Sequence, residues 1–114
     1  MDPIVVENGT GGVAVVQLRG EHDLATAPKL EAAIAGSGDT TSLVVDLSET
    51  TFIDSTILGV LYSRLQNTPG ERRFAIVLGE KPSAVRRTFE VTGLLDAFPV
   101  YPSRDDALAA IGAF

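Results

Sequence analysis

Cysteine is absent from the 114 residues, which excludes disulfides and every thiolate metal site and fits a reducing compartment. Tryptophan is absent too, and a single histidine, His22, leaves carboxylates as the only numerous metal-ligating groups. Their spacing matches no calcium-binding loop, so no metal or other cofactor is expected. Cationic side chains are scarce: nine Lys and Arg stand against fifteen Asp and Glu, for a formal net charge of −6. Recognition of a phosphate backbone needs clustered cations, and only Arg72 with Arg73 and Arg86 with Arg87 sit together. Those pairs read as solvated faces, and nucleic acid is not an expected partner. The acidity instead suits a protein partner with a basic docking face. Long apolar runs are missing as well, none approaching the roughly 18 residues that span a bilayer. The opening MDPIVVENGT has neither the basic stretch nor the apolar segment of a secretory signal. The expectation is a soluble, cytoplasmic protein without membrane contact.

What is present suffices for a core. Hydrophobic residues make up 45% of the chain, and its length suits one domain rather than two. No repeat, low-complexity tract or linker divides it, so residues 1–114 are read as a single domain.

Strand-like and helix-like patterns alternate. Residues 4–7 and 13–19 are rich in β-formers, and the glycine-rich stretch 8–12 between them suits a hairpin. Leu24, Ala27, Leu30 and Ile34 recur at helical spacing, with Pro28 in the first turn and residues 36–38 (GSG) ending the helix. LVVDL at 43–47 is a short apolar strand. Leu58, Leu61 and Leu65 stripe the next helix, which Asn67, Pro69 and Gly70 close. The continuous apolar run 74–78 has the composition of a parallel strand covered on both faces. Val85 and Phe89 mark a third helix starting near Pro82 or Ser83. Residues 98–101 read as a last strand, and Ser103 as the cap of a final helix with Asp105 and Asp106 in its first turn. A β pair followed by repeated β-α units predicts an α/β domain with a mixed sheet.

In open α/β sheets, reactive groups gather beyond the carboxyl ends of the strands. Two junctions of that kind stand out: residues 20–23 (GEHD) and residues 48–55 (SETTFIDS). If their strands are neighbours, Asp23 and Asp54 flank Ser55. Ser55 opens an apolar helix, where unpaired N–H groups carry partial positive charge. Two readings follow. In one, Ser55 only caps the helix. In the other it accepts a phosphoryl group, which a helix start tolerates but which the adjacent Asp54 makes a sharp change of surface charge. Asp23 likewise reads either as a cap or as part of a surface, Thr26 as a helix start, and His22 as a solvated loop residue. A hydrolase is disfavoured, since no G-x-S-x-G elbow surrounds Ser55, and no Walker or G-x-G-x-x-G loop occurs.

The stretch VVDLSETTFIDSTILGVL resembles the signature of the STAS domain, specifically of bacterial anti-sigma factor antagonists. LRGEHDLATAPKL, VRRTFEVTGLLDAFPVYPS and SRDDALAAI resemble further segments of that family, in the expected order over nearly the whole chain. The resemblance implies a STAS fold, a mixed sheet of about five strands with about four helices packed mainly on one side. It also implies partner switching. The unphosphorylated antagonist binds an anti-sigma factor that is a serine kinase, which frees the sigma factor. The kinase phosphorylates the serine of the D-S-[ST] motif and the pair separates, and a serine phosphatase reverses the step. By position Ser55 matches the phosphorylated serine, Asp54 its preceding acid, Thr56 the neighbouring hydroxyl and Asp23 the acid of the G-E-x-D segment. The family usually has glycine where Ile57 stands; its side chain either projects onto the docking surface or turns down beside Leu61. The partner surface expected from sequence comprises Asp23, Thr26, Asp54, Ser55, Thr56 and Ile57, and no catalysis is expected of the chain itself. Two other readings stay open: a scaffold or small-ligand sensor without phosphorylation control, and an enzyme using His22 as base toward Ser55.

Overall fold

A computed structural model describes residues 3–8, 12–37, 42–68 and 73–111. The chain order is β1 (Ile4–Asn8), β2 (Val13–His22), α1 (Ala27–Gly36), β3 (Ser42–Ile53), α2 (Ser55–Gln66), β4 (Phe74–Val77), α3 (Ala84–Val91), β5 (Val100–Tyr101) and α4 (Arg104–Ala110). The five strands form one sheet in the order β1-β2-β3-β4-β5, with β1 antiparallel to β2 and every other pair parallel. The middle of the expected hairpin turn, residues 9–11, lies outside the described residues, as do Gly38, Pro69, Gly70 and Arg72.

This order explains where the helices sit. Parallel strands joined through a helix cross over right-handed, and β2, β3, β4 and β5 advance across the sheet in one direction. Successive crossovers therefore stack α1, α2 and α3 on the same face. Alternation along each strand supplies that face with Ala14, Val16 and Leu18 from β2 and Leu43, Val45 and Leu47 from β3. Leu30 and Ile34 of α1, Ile57, Leu58 and Leu61 of α2, and Val85 and Phe89 of α3 close over them. The opposite residues, Val13, Val15, Val44, Ala75 and Val77, meet α4 through Ala107, Leu108 and Ile111. The sheet centre is thus buried on both sides, which is why β4 reads as an unbroken apolar run.

Three boundaries differ from the sequence pattern. Helix α1 starts at Ala27, because the amides of Thr26 and Ala27 both donate to the Asp23 carbonyl and turn the chain first. Leu24 consequently falls outside the apolar stripe and is 70% exposed. Strand β5 begins only at Val100: Phe98 N–H donates to the Leu94 carbonyl and Pro99 has no N–H to give a ladder. The Phe98 ring still reaches the core, edge-on to Phe89 at 5.5 Å. The largest difference is in β2 and β3, which run on to His22 and Ile53 through segments that read as loops. Two register shifts, between Gln17 and Arg19 and between Gly20 and Glu21, give β3 two extra residues and break its alternation. Thr50, buried between them, donates its hydroxyl to the Leu18 carbonyl at 2.8 Å and so serves a backbone acceptor where the ladder is interrupted.

Candidate functional site

The extended β2–β3 ladder ends on the pair His22 and Ile53, so the residues that follow, Asp23 and Asp54, leave the sheet at the same edge. Asp54 has extended backbone (φ −107°, ψ −177°), and its Oδ1 accepts from the Ile57 amide at 3.1 Å. That is an N-cap, satisfying one of the free amides of the first turn of α2. Its other oxygen, Oδ2, accepts from the Leu24 amide at 3.1 Å. One carboxylate therefore ties the start of α2 to the turn that leads from β2 into α1.

This corrects the capping reading of Ser55. The cap is the last extended residue before the helix, and Asp54 fills that position; Ser55 is already inside α2. Its side chain is exposed and makes no hydrogen bond among the described residues. Thr56 is half-buried. Ile57 is fully buried among the core side chains that include Leu61, so its side chain is absent from the surface on which it was expected. At the third position of the helix its side chain follows the stripe of Leu58 and Leu61 onto the sheet.

Across the junction, Asp23 is exposed and its Oδ1 accepts from the Ala25 amide at 2.9 Å, holding the turn tight. Thr26 stands at the N-cap position of α1 yet makes no side-chain cap bond. Its hydroxyl instead lies 3.1 Å from His22 Nδ1, accepts from the Asp23 amide at 3.1 Å, and reaches the Asp23 carbonyl at 3.2 Å. His22 is not a solvated loop residue: it ends β2, fully buried. Its Nε2 is 3.0 Å from the Arg19 carbonyl, which can only accept, so the proton sits on Nε2. Both ring nitrogens are engaged inside the turn, which leaves neither to act as a base toward Ser55. Among the described residues no group of three or more His, Asp or Glu side chains is arranged to hold a metal ion, and no helix is long and apolar enough to cross a membrane.

Two features escaped the sequence pattern. Leu24 presents an exposed apolar side chain beside the acidic pair, although its spacing had suggested a core position. An open groove of about 580 Å³ runs between α1 and α2, lined by Glu31, Ile34 and Ala35 from one helix and Thr56, Gly59 and Val60 from the other. A glycine inside a helical stripe was its only signal.

A family model described as the STAS domain matches residues 5–107. The chain belongs to the STAS domain family. This STAS chain is 34% identical over 102 residues to the anti-sigma-F factor antagonist RsfB of Mycobacterium tuberculosis, an alignment covering 88% of the chain and 82% of the relative. It also superposes on the crystal structure of an anti-sigma factor antagonist from Mycobacterium paratuberculosis with a TM-score of 0.81 and 40% identity, covering 96% of this chain and 92% of that one. The phosphorylated form of the Bacillus cell fate determinant SpoIIAA, at 20% identity, shares the fold with a TM-score of 0.68 over 95% of this chain and 98% of that one. The mixed five-stranded sheet with three helices on one face and one on the other is the STAS architecture expected from sequence.

Proposed function

We propose that this STAS domain is an anti-sigma factor antagonist that binds an anti-sigma factor with serine kinase activity, frees the sigma factor, and is switched off by phosphorylation of Ser55. The observation that carries the reading is Ser55 itself: exposed, without a hydrogen bond from its hydroxyl among the described residues, and placed on the first turn of α2 while Asp54 does the capping. A side chain with no part in holding the fold is free to be modified without unfolding it. Kinship with named antagonists, RsfB among them, supports the partner class.

The chemistry belongs to the partner. The Ser55 oxygen attacks the γ-phosphorus of ATP in the kinase, the bond to the bridging oxygen of the β-phosphate breaks, ADP leaves, and the hydroxyl proton passes to the kinase's base. A serine phosphatase reverses the modification with water, releasing inorganic phosphate. The STAS chain is a binding module and a substrate. Its docking surface comprises Asp23, Asp54, Ser55 and Thr56, the exposed Leu24, and the outward side of α2, with Thr26 and His22 holding the turn behind them. Phosphorylation adds about −1.5 to −2 charges to a corner that already carries two carboxylates. The amides of the first turn keep that charge tolerable within the chain, whereas a partner that had docked against a neutral hydroxyl meets a dianion.

The test is a pull-down from lysate of the native organism with wild-type, Ser55→Ala and Ser55→Glu baits, followed by phosphorylation of each with ATP and the recovered kinase. Wild type and Ser55→Ala retain the same anti-sigma kinase, Ser55→Glu retains less, and only wild type incorporates label. Equal capture by all three baits, or label on Ser55→Ala, overturns the assignment.

A further inference from the structure

The sheet has two edges, and only one of them is protected. β5 is two residues long and follows Pro99, an edge too short for another chain to extend. β1 is five residues long, pairs with β2 without a register shift, and contains neither proline nor lysine. The Arg19 amide donates to the Pro3 carbonyl at 2.8 Å, one step before the pair of Ile4 and Leu18. That contact sets the alternation along the strand. Pro3, Val5 and Glu7 bond to β2, while Ile4, Val6 and Asn8 turn their backbone groups outward. Among the described residues those outward groups have no hydrogen-bond partner. Val6 is 42% exposed. The side of α1 turned away from α2, and so toward this edge, carries Lys29, Ala33 and Gly36, of which only the exposed Lys29 is large.

We propose that β1 pairs antiparallel with β1 of a second copy about a two-fold axis through Val6, giving a homodimer with one sheet continuous across both chains. The strand is self-complementary in that register. Val6 faces Val6 of the second copy and Ile4 faces its Asn8, so every outward N–H and C=O of the strand finds a partner. On the α4 side Val5 faces Glu7 of the second copy, so no carboxylate faces another, and Glu7 is held by Arg104 at 2.8 Å. Moving the axis one residue toward Glu7 sets the two Glu7 side chains against each other. Moving it one residue the other way sets Asn8 against a position before the strand begins. This match of the strand to itself is what selects a second copy as the occupant. Helix α2 starts beyond β3, two strands in from the seam, so both Ser55 corners stay free. The dimer stands or falls independently of the Ser55 reading.

The experiment is sedimentation equilibrium of the full chain from about 1 μM to about 1 mM, joined to single-cysteine crosslinking, which the absence of native cysteine allows. Wild type dimerises with a Kd on the order of 100 μM, as befits a small interface. Val6→Lys sets two ammonium groups face to face across the axis and weakens the dimer at least ~10-fold, while melting within about 4 °C of wild type. Val91→Lys replaces a more exposed valine on α3, away from the seam, and leaves the dimer unchanged. Val6→Cys chains, with Cα atoms about 5.5 Å apart, crosslink under oxidised glutathione. Asn8→Cys chains, about 14 Å out of step along the strand, do not. A wild-type monomer at the highest concentration overturns the proposal. So does a dimer that Val6→Lys leaves intact or Val91→Lys weakens equally, or one that Asn8→Cys crosslinks as readily as Val6→Cys.

Discussion

Asp54 divides its carboxylate between two junctions, capping α2 with one oxygen and holding the Leu24 amide with the other. Ser55, its neighbour, does neither. The two side chains should therefore separate cleanly in stability measurements. Asp54→Ala removes the cap and the tie, and costs about 1–2 kcal/mol in urea unfolding, whereas Ser55→Ala stays within about 0.5 kcal/mol of wild type. A Ser55→Ala protein as unstable as Asp54→Ala would return the capping role to the serine. From sequence the two are indistinguishable, since Asp and Ser are both favoured caps and stand side by side. The β2–β3 register decides which of them is last in the extended chain, and no local pattern carries that information. His22 is unreadable for a related reason: its partners, the Arg19 carbonyl and Thr26, exist only once the turn has formed. Ile57 was half legible, because its four-residue spacing from Leu61 already allowed the inward rotamer that the core adopts.

At the scale of elements, the legible parts were those whose burial is uniform or whose ends are chemically marked. The apolar runs of β3 and β4 and the Ser83 and Ser103 caps of α3 and α4 fall where the residues say, each serine accepting from the amide three positions on. The continuation of β3 over residues 48–53 was not legible, because two bulges scramble the alternation that identifies a half-buried strand. The packing of α4 was also silent in sequence, since it depends on side chains distant along the chain. Arg104 donates through Nε and Nη2 to Asp46 Oδ2 at 3.2 and 3.1 Å, and through Nη1 to Glu7 at 2.8 Å. It thereby joins α4 to β3 and to the edge strand β1. Asp46 is only 5% exposed, and its other oxygen accepts from the Ser48 amide and hydroxyl. Arg104→Ala strands that carboxylate and should destabilise the chain by about 2–4 kcal/mol, less than for a fully buried pair because Arg104 keeps some solvent contact. The double variant Asp46→Leu with Arg104→Met should recover most of the loss, as apolar packing replaces the pair. A single variant within error of wild type would show that α4 is held by Ala107, Leu108 and Ile111 alone.

Over the whole molecule the excess of acid over base sets how a partner arrives. If the chain docks as proposed, through the corner bearing Asp23 and Asp54, its net charge of −6 attracts a basic surface from a distance. Raising salt from about 50 to 500 mM should therefore lower the association rate with the anti-sigma factor by about 10-fold and change the dissociation rate little. Stopped-flow association across that range checks it, and a flat on-rate would mean that encounter is not steered by charge. The same docking corner stands at the end of the longest ladder in the sheet, which runs from the pair of Val13 and Ser42 to that of His22 and Ile53. The turn beyond that end is fastened by the Asp54 carboxylate, which accepts from the Ile57 and Leu24 amides, and by Asp23, which accepts from the Ala25 amide. A surface held that firmly enters a complex already ordered, so little conformational entropy is lost on docking. On the proposed reading, phosphorylation of Ser55 has no loop to order or melt at this corner and acts by changing the charge of a surface already fixed in shape.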